Sequence, residues 1–123
     1  IEPVPIENKL LEDAQINQII VVGQDKKYLT ALVWPNLEKV KEGTGMAVDP
    51  KSDLNKNKEL TEHFGRLVKK QISADNGFKG FERVIDFRFL PKPMEVGDEI
   101  TTLFKMKRNV IADKYAQLIE SMY

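Results

Sequence analysis

Two apolar runs joined by a short polar loop constrain this chain more than any other feature. Ile19-Ile-Val-Val22 is β-branched throughout and closes on Gly23-Gln-Asp-Lys-Lys27, and the run Tyr28–Trp34 is again apolar and stops at Pro35. Two such runs around a short turn-prone loop read as an antiparallel hairpin. Neither run alternates polar with apolar residues, so both faces of each strand need cover. The hairpin is therefore expected to be central, with helices on both sides and Val21, Val22, Leu32 and Val33 largely buried.

The rest of the chain supplies that cover. Pro5 suits the first position of a helix, and Ile6, Leu10 and Ala14 continue it at helical spacing to about Asp13. Asn36 can cap a short helix from Leu37 to about Glu42, ended by Gly43 and Gly45. Gly43 to Asn57 is turn-rich and reads as a surface loop. Leu60, Phe64, Leu67, Val68 and Ile72 then mark one face of a longer helix, stopped by Asp75-Asn-Gly77. Phe81, Ile85, Phe87 and Phe89 alternate with Glu82, Asp86 and Arg88, the period-2 pattern of a third strand ending at Pro91. A last helix is expected from Arg108 to Tyr123, burying Ile111, Tyr115, Leu118, Ile119 and Met122. The fold class is α+β: one domain with a small three-stranded sheet, a hairpin plus a third strand, and helices packed on it. The opening Ile-Glu-Pro-Val-Pro, without an initiator Met, reads as a fragment or processed product, and Ile119–Tyr123 as a natural helix end.

Charge and composition exclude several functions. Lys plus Arg and Asp plus Glu are 19 each, and a balanced chain lacks the basic excess of a dedicated nucleic-acid binder. With no cysteine there is no disulfide or thiolate chemistry, and the single His63 makes no metal cluster. His63 lies outside the apolar stripe of its helix and reads as a surface residue. Gly43 and Gly45 lack the preceding strand and following Lys-Ser/Thr of a phosphate loop. The acidic residues have the scatter of solvated surface. No apolar run is long enough to span a membrane, and a cytoplasmic location is expected.

One stretch stands out. Ile100 to Arg108 follows a turn at Glu95–Glu99 and carries Lys105, Lys107 and Arg108 around Phe104 and Met106. If it is extended, Lys105 and Lys107 face a cleft while Phe104 and Met106 hold the backbone down. Such ammonium groups suit a phosphate or carboxylate whose charge is being rearranged. These residues alone favour the plainer reading, a solvated basic start to the last helix.

Four ordered segments point further. Ile1-Glu2-Pro3 with Ile6-Glu7-Asn8 resembles the opening of the C-terminal domain of AMP-forming acyl-CoA synthetases. Val21–Leu29 running into Ala31–Asn36 is similar to the hairpin of their long-chain fatty acid branch, and Phe78–Arg83 with Phe89-Leu-Pro91 to its third strand. Thr101–Arg108 resembles its final motif, commonly Thr-Pro-Thr-Leu-Lys-Leu-Lys-Arg, ahead of a helix ending in Met-Tyr. Aligned so, Lys105 takes the place of the family's catalytic lysine; Lys107 is the competing assignment. Thr101, Lys107 and Arg108 are candidate substrate-binding residues of the same motif. In the wider superfamily a glycine precedes the lysine, where this chain has Phe104, and Thr102-Leu103 replaces the usual Pro-Thr.

The resemblance implies a ligase acting in two steps. A fatty acid carboxylate attacks the α-phosphate of ATP, supplied with Mg2+, to give an acyl-adenylate and pyrophosphate; the CoA thiol then displaces AMP. It also implies a large N-terminal adenylating domain as this domain's partner, with the small domain closing over it in two orientations, and it leaves room for peripheral membrane contact in the full-length enzyme. Lys105 is expected to be exposed in the isolated domain. Two alternatives share the fold: a non-catalytic interaction module, and the lid of an adenylating enzyme that loads a different acceptor.

Overall fold

A computed structural model describes residues 2–123; Ile1, the first residue of the opening segment, lies outside them. In chain order the main elements are α1 (Pro3–Leu11), β1 (Ile16–Val22), β2 (Leu29–Pro35), α2 (Leu37–Thr44), α3 (Lys58–Gln71), β3 (Val84–Phe89), α4 (Arg108–Lys114) and α5 (Ala116–Glu120). The strands form one sheet in the order β1-β2-β3. β1 and β2 are the antiparallel hairpin, from Ile16 opposite Pro35 to Val22 opposite Thr30. β3 runs parallel to β2, with Leu29 opposite Val84 and Val33 opposite Phe89. A parallel neighbour needs a long crossover, and α2 and α3 provide it.

β2 alone is central, so β1 is an edge strand and not a second central one. The two-sided apolar pattern nevertheless has the expected cause. Leu29, Ala31 and Val33 point into one core with Ile19, Val21, Phe64 and Phe89, beneath α1, α2 and α3. Leu32 and Ile20 point into a second core with Leu90, Met94, Ile111, Tyr115, Ile119 and Met122. Val21, Leu32 and Val33 are buried, but Val22, at the end of the edge strand, is only half-buried.

Both free sheet edges are covered by side chains. Asn55, in a 3-10 turn of residues Leu54–Lys56, donates through Nδ2 to the Phe89 carbonyl at 2.9 Å and accepts the Phe89 N–H at 2.7 Å. The loop read as plain surface thus closes the β3 edge, with Leu54 buried beneath it. On the β1 edge the Val21 N–H donates to the Glu7 carboxylate at 2.7 Å.

Several boundaries move for simple reasons. α1 begins at Pro3, since both prolines fit within a first turn whose N–H groups have no helical partner. α2 runs through Gly43 and ends at Gly45, whose φ of 77° forms a left-handed cap. Phe81 leaves the third strand for a 3-10 turn over Gly80–Glu82 and is exposed, and Ile85 is exposed on the edge strand. His63 is half-buried, its Nε2 2.7 Å from Gln15 Oε1. The last helix breaks at Tyr115, where φ is −111° and ψ 26°. The buried stripe survives the break because the Tyr115 N–H still reaches the Ile111 carbonyl and the Ile119 N–H the Tyr115 carbonyl, at 3.0 and 2.9 Å.

Candidate functional site

The basic stretch is neither extended nor simply the start of a helix. Ile100 and Met106 pair as an antiparallel bridge, and the residues between them close into a tight loop. The Thr101 N–H donates to the Lys105 carbonyl at 2.7 Å, the Phe104 N–H to the Thr101 carbonyl at 2.9 Å, and the Lys105 N–H to Thr101 Oγ1 at 3.1 Å. Thr101 therefore organises the loop through both backbone and hydroxyl. Met106 packs against the second core. Phe104 does not: it is exposed at the tip, so only one of the two expected apolar anchors is used.

Phe104 has φ 61°, the only non-glycine residue with positive φ among the described residues. A residue with a Cβ pays about 1–2 kcal/mol for that left-handed conformation, which glycine adopts freely. The position before the lysine therefore has a backbone reason to be glycine, and this chain holds the same bend with a phenylalanine.

The base of the loop is fixed by a carboxylate that takes no part in solvated surface. Glu99 is fully buried. Its side chain accepts the Glu95 N–H at 3.1 Å, Lys114 Nζ at 3.1 Å and the Tyr115 hydroxyl at 3.3 Å, and its backbone carbonyl accepts the Lys107 N–H at 2.7 Å. Burial opposes ionisation of Glu99, but hydrogen bonds from the Glu95 and Glu99 backbone and from the Lys114 ammonium outweigh it and hold its pKa below the usual value. Lys114 is shared with Asp98 at 2.8 Å, and hydrogen bonds to Asp98 and then Glu99 raise its pKa. Burial raises that of Tyr115.

The three cations then divide. Arg108 makes a two-pronged ion pair with Glu7, Nη1 to Oε2 at 2.9 Å and Nη2 to Oε1 at 2.6 Å. Glu7 is itself buried and holds the Val21 N–H, so this pair ties α4 to α1 and β1. Lys107 stands at the N-cap position of α4 without a side-chain cap hydrogen bond; it is half-buried, and its ammonium has no ion-pair or hydrogen-bond partner among the described residues. Lys105 is exposed, as expected, and its ammonium has no ion-pair or hydrogen-bond partner among the described residues. A depression of about 980 Å³ lies between residues 51–55 and the α4–α5 junction and is not lined by Lys105. Among the described residues no three His, Cys, Asp or Glu side chains could hold a metal ion, and no helix is long and apolar enough to cross a membrane.

Glu7 and Glu99 are the residues a reading of acidic side chains as surface misses. Glu7 was legible, since it lies one turn from Leu10 on the buried side of α1; Glu99 carries no such signal. Tyr28 and the last residue, Tyr123, stack with ring centroids 4.8 Å apart. The Tyr123 hydroxyl donates to the Tyr28 carbonyl at 2.8 Å, and the Tyr28 hydroxyl to the Met122 carbonyl at 2.6 Å. The Met-Tyr end is thereby locked onto the hairpin.

Comparison with known proteins agrees with this architecture. The model of the AMP-binding enzyme C-terminal domain matches residues 1–123. The chain is 29% identical over 133 residues to the long-chain-fatty-acid–CoA ligase FadD15 of Mycobacterium tuberculosis, covering 100% of this chain and 21% of that protein. It is 27% identical over 124 residues to the long-chain-fatty-acid–[acyl-carrier-protein] ligase AEE15 of Arabidopsis thaliana, covering 100% of this chain and 15% of that one. Among solved structures, the A-PCP didomain of carboxylic acid reductase from Segniliparus rugosus, in complex with AMP, superposes with a TM-score of 0.76 at 19% identity, over 100% of this chain and 16% of that one.

Proposed function

The chain belongs to the AMP-binding enzyme C-terminal domain family, the C-terminal part of larger adenylate-forming enzymes, and on that premise we propose that it is the mobile lid of a long-chain fatty acid–CoA ligase. Lys105 is the residue it delivers. One observation carries the reading: an exposed ammonium, unpaired among the described residues, is carried by a loop whose base is fixed by Glu99 and whose bend is fixed by Thr101. A cation held ready without an internal partner is what a reaction between two anions requires. Lys105 would bridge the incoming carboxylate and the α-phosphate of ATP, offset their repulsion and stabilise charge in the transition state. Withdrawal of the domain after adenylation would clear the site for the acceptor thiol.

The test is Lys105→Ala in the full-length enzyme, with the two half-reactions measured separately. Adenylation is expected to fall by about a hundredfold or more, the scale of losing one preorganised transition-state contact. Thioester formation from preformed acyl-adenylate and CoA is expected to persist, and Lys107→Ala to be mild. If Lys107→Ala is instead the crippled variant, the catalytic assignment belongs two residues on.

A second reading changes only the acceptor. The similarity to AEE15 supports transfer to acyl-carrier protein as readily as FadD15 supports CoA. Supplying preformed acyl-adenylate with CoA or with the phosphopantetheine form of acyl-carrier protein decides between them.

A further inference from the structure

Leu103 and Phe104 form the outermost point of the loop that carries Lys105. At 78% and 81% exposure they are the most exposed large apolar side chains among the described residues. Neither belongs to either core, and nothing in the domain requires them to be apolar. Phe104 in addition keeps a left-handed backbone that a bulky side chain disfavours. Strain and exposed apolar surface at one point both work against the domain standing alone, and such features persist where the surroundings and a function maintain them.

Neighbouring Cα atoms are about 3.8 Å apart, so a surface that closes over Lys105 comes within reach of the exposed Phe104 ring. We propose that Phe104, backed by Leu103, is the hydrophobic stopper of the adenylation site: it excludes water from the acyl-adenylate while Lys105 is inserted. This rests on the reading of Lys105 given above. The reaction it suppresses is hydrolysis. The oxygen of a water molecule adds to the acyl carbonyl carbon, the bond from that carbon to the phosphate oxygen breaks, and AMP leaves with the electron pair. The free acid is regenerated, the protons of the water pass to solvent, and ATP is spent without product. Closing a site against water is a recognised way to prevent such side reactions.

The experiment uses the full-length enzyme with palmitate and ATP but no CoA, following pyrophosphate release. A shielded enzyme gives one burst and then stops at the bound adenylate; a leaking one turns over. Phe104→Asn keeps the bend, because Asn tolerates left-handed backbone, but replaces the ring with a polar group. Its burst rate is expected to stay within about threefold of wild type while CoA-independent turnover rises by roughly tenfold, the effect of ~1.4 kcal/mol on the hydrolytic barrier. Phe104→Leu is expected to restore the tight behaviour. A wild-type leak in Phe104→Asn with an intact burst overturns the proposal, as does a slowed burst without a leak. Loss of binding to anionic phosphatidylserine vesicles with no change in leak would place the tip on a lipid surface and overturn it equally. The underlying reading fails separately: a normal burst in Lys105→Ala removes the lysine from the site, whereas a crippled Lys105→Ala beside a tight Phe104→Asn removes only the stopper.

Discussion

Arg108→Ala separates a structural cation from a substrate-binding one. Arg108 holds both oxygens of Glu7, and Glu7 is buried with the β1-edge N–H of Val21 as its only other partner among the described residues. Truncating one member of a buried pair leaves an uncompensated charge and costs about 3–5 kcal/mol. The Arg108 side chain is 36% exposed, so water can reach part of the vacated space, and the expected loss is discounted to roughly 2–3 kcal/mol. For a domain of this size ~1 kcal/mol corresponds to about 4 °C, so the thermal midpoint should drop by roughly 10 °C. Arg108→Lys keeps the charge without the two-pronged geometry and should fall between. In a Glu7→Gln background, where the amide oxygen can still take the Val21 N–H, Arg108→Ala should cost less than half as much. The assay is urea and thermal unfolding of the 123-residue domain, followed by circular dichroism. A midpoint within about 2 °C of wild type, together with collapsed adenylation in the full-length enzyme, would refute this reasoning and return Arg108 to the substrate.

Two further outcomes test the frame around the loop. Glu99 has a folded-state pKa below its unfolded value, so its stabilising contribution is present above the unfolded carboxylate value of about 4.3 and is lost as pH falls through the lower folded value. Glu99→Gln should therefore cost about 1–3 kcal/mol at pH 7 in urea titrations, and the gap to wild type should close on acidification below pH ~4. Gly23→Ala should cost at least ~1–2 kcal/mol in thermal melts, because Gly23 sits at φ 89° and a methyl there would collide with the Tyr28 carbonyl and the Tyr123 hydroxyl.

Much of this was legible because hydrophobic period and core placement share one cause. The apolar runs of β1 and β2, the stripe Leu60–Ile72 and the stripe Ile111–Met122 each appear where burial requires them. What the side-chain pattern could not carry was backbone information. Parallel pairing of β3 to β2 is a matter of main-chain hydrogen bonds and crossover path, and either direction would bury Phe87 and Phe89. Nor does a charged side chain announce its burial: Glu99 and Glu7 are acidic residues whose partners, Lys114 and Arg108, lie 15 and 101 positions away. The bend at Phe104 was hidden because the residue that occupies it is not the one its φ favours.

The anchoring of the loop also limits how Lys105 can move. Its base is tied through Glu99 to Lys114 and Tyr115, and its exit through Arg108 to Glu7 and so to α1 and β1. Folding the loop back against its own domain would break a buried carboxylate cluster, a cost of several kcal/mol. In the full-length enzyme proposed above, rotating the whole domain about the segment that would join it to an adenylating domain breaks none of these bonds. If Lys105 is present for adenylation and absent for thioester formation, the economical motion is therefore rigid-body rotation, with the strain at Phe104 carried unchanged through it. It follows that substitutions at the joining segment should slow the passage between half-reactions while leaving each alone. Substitutions at Glu99 should instead loosen the lysine and weaken adenylation itself.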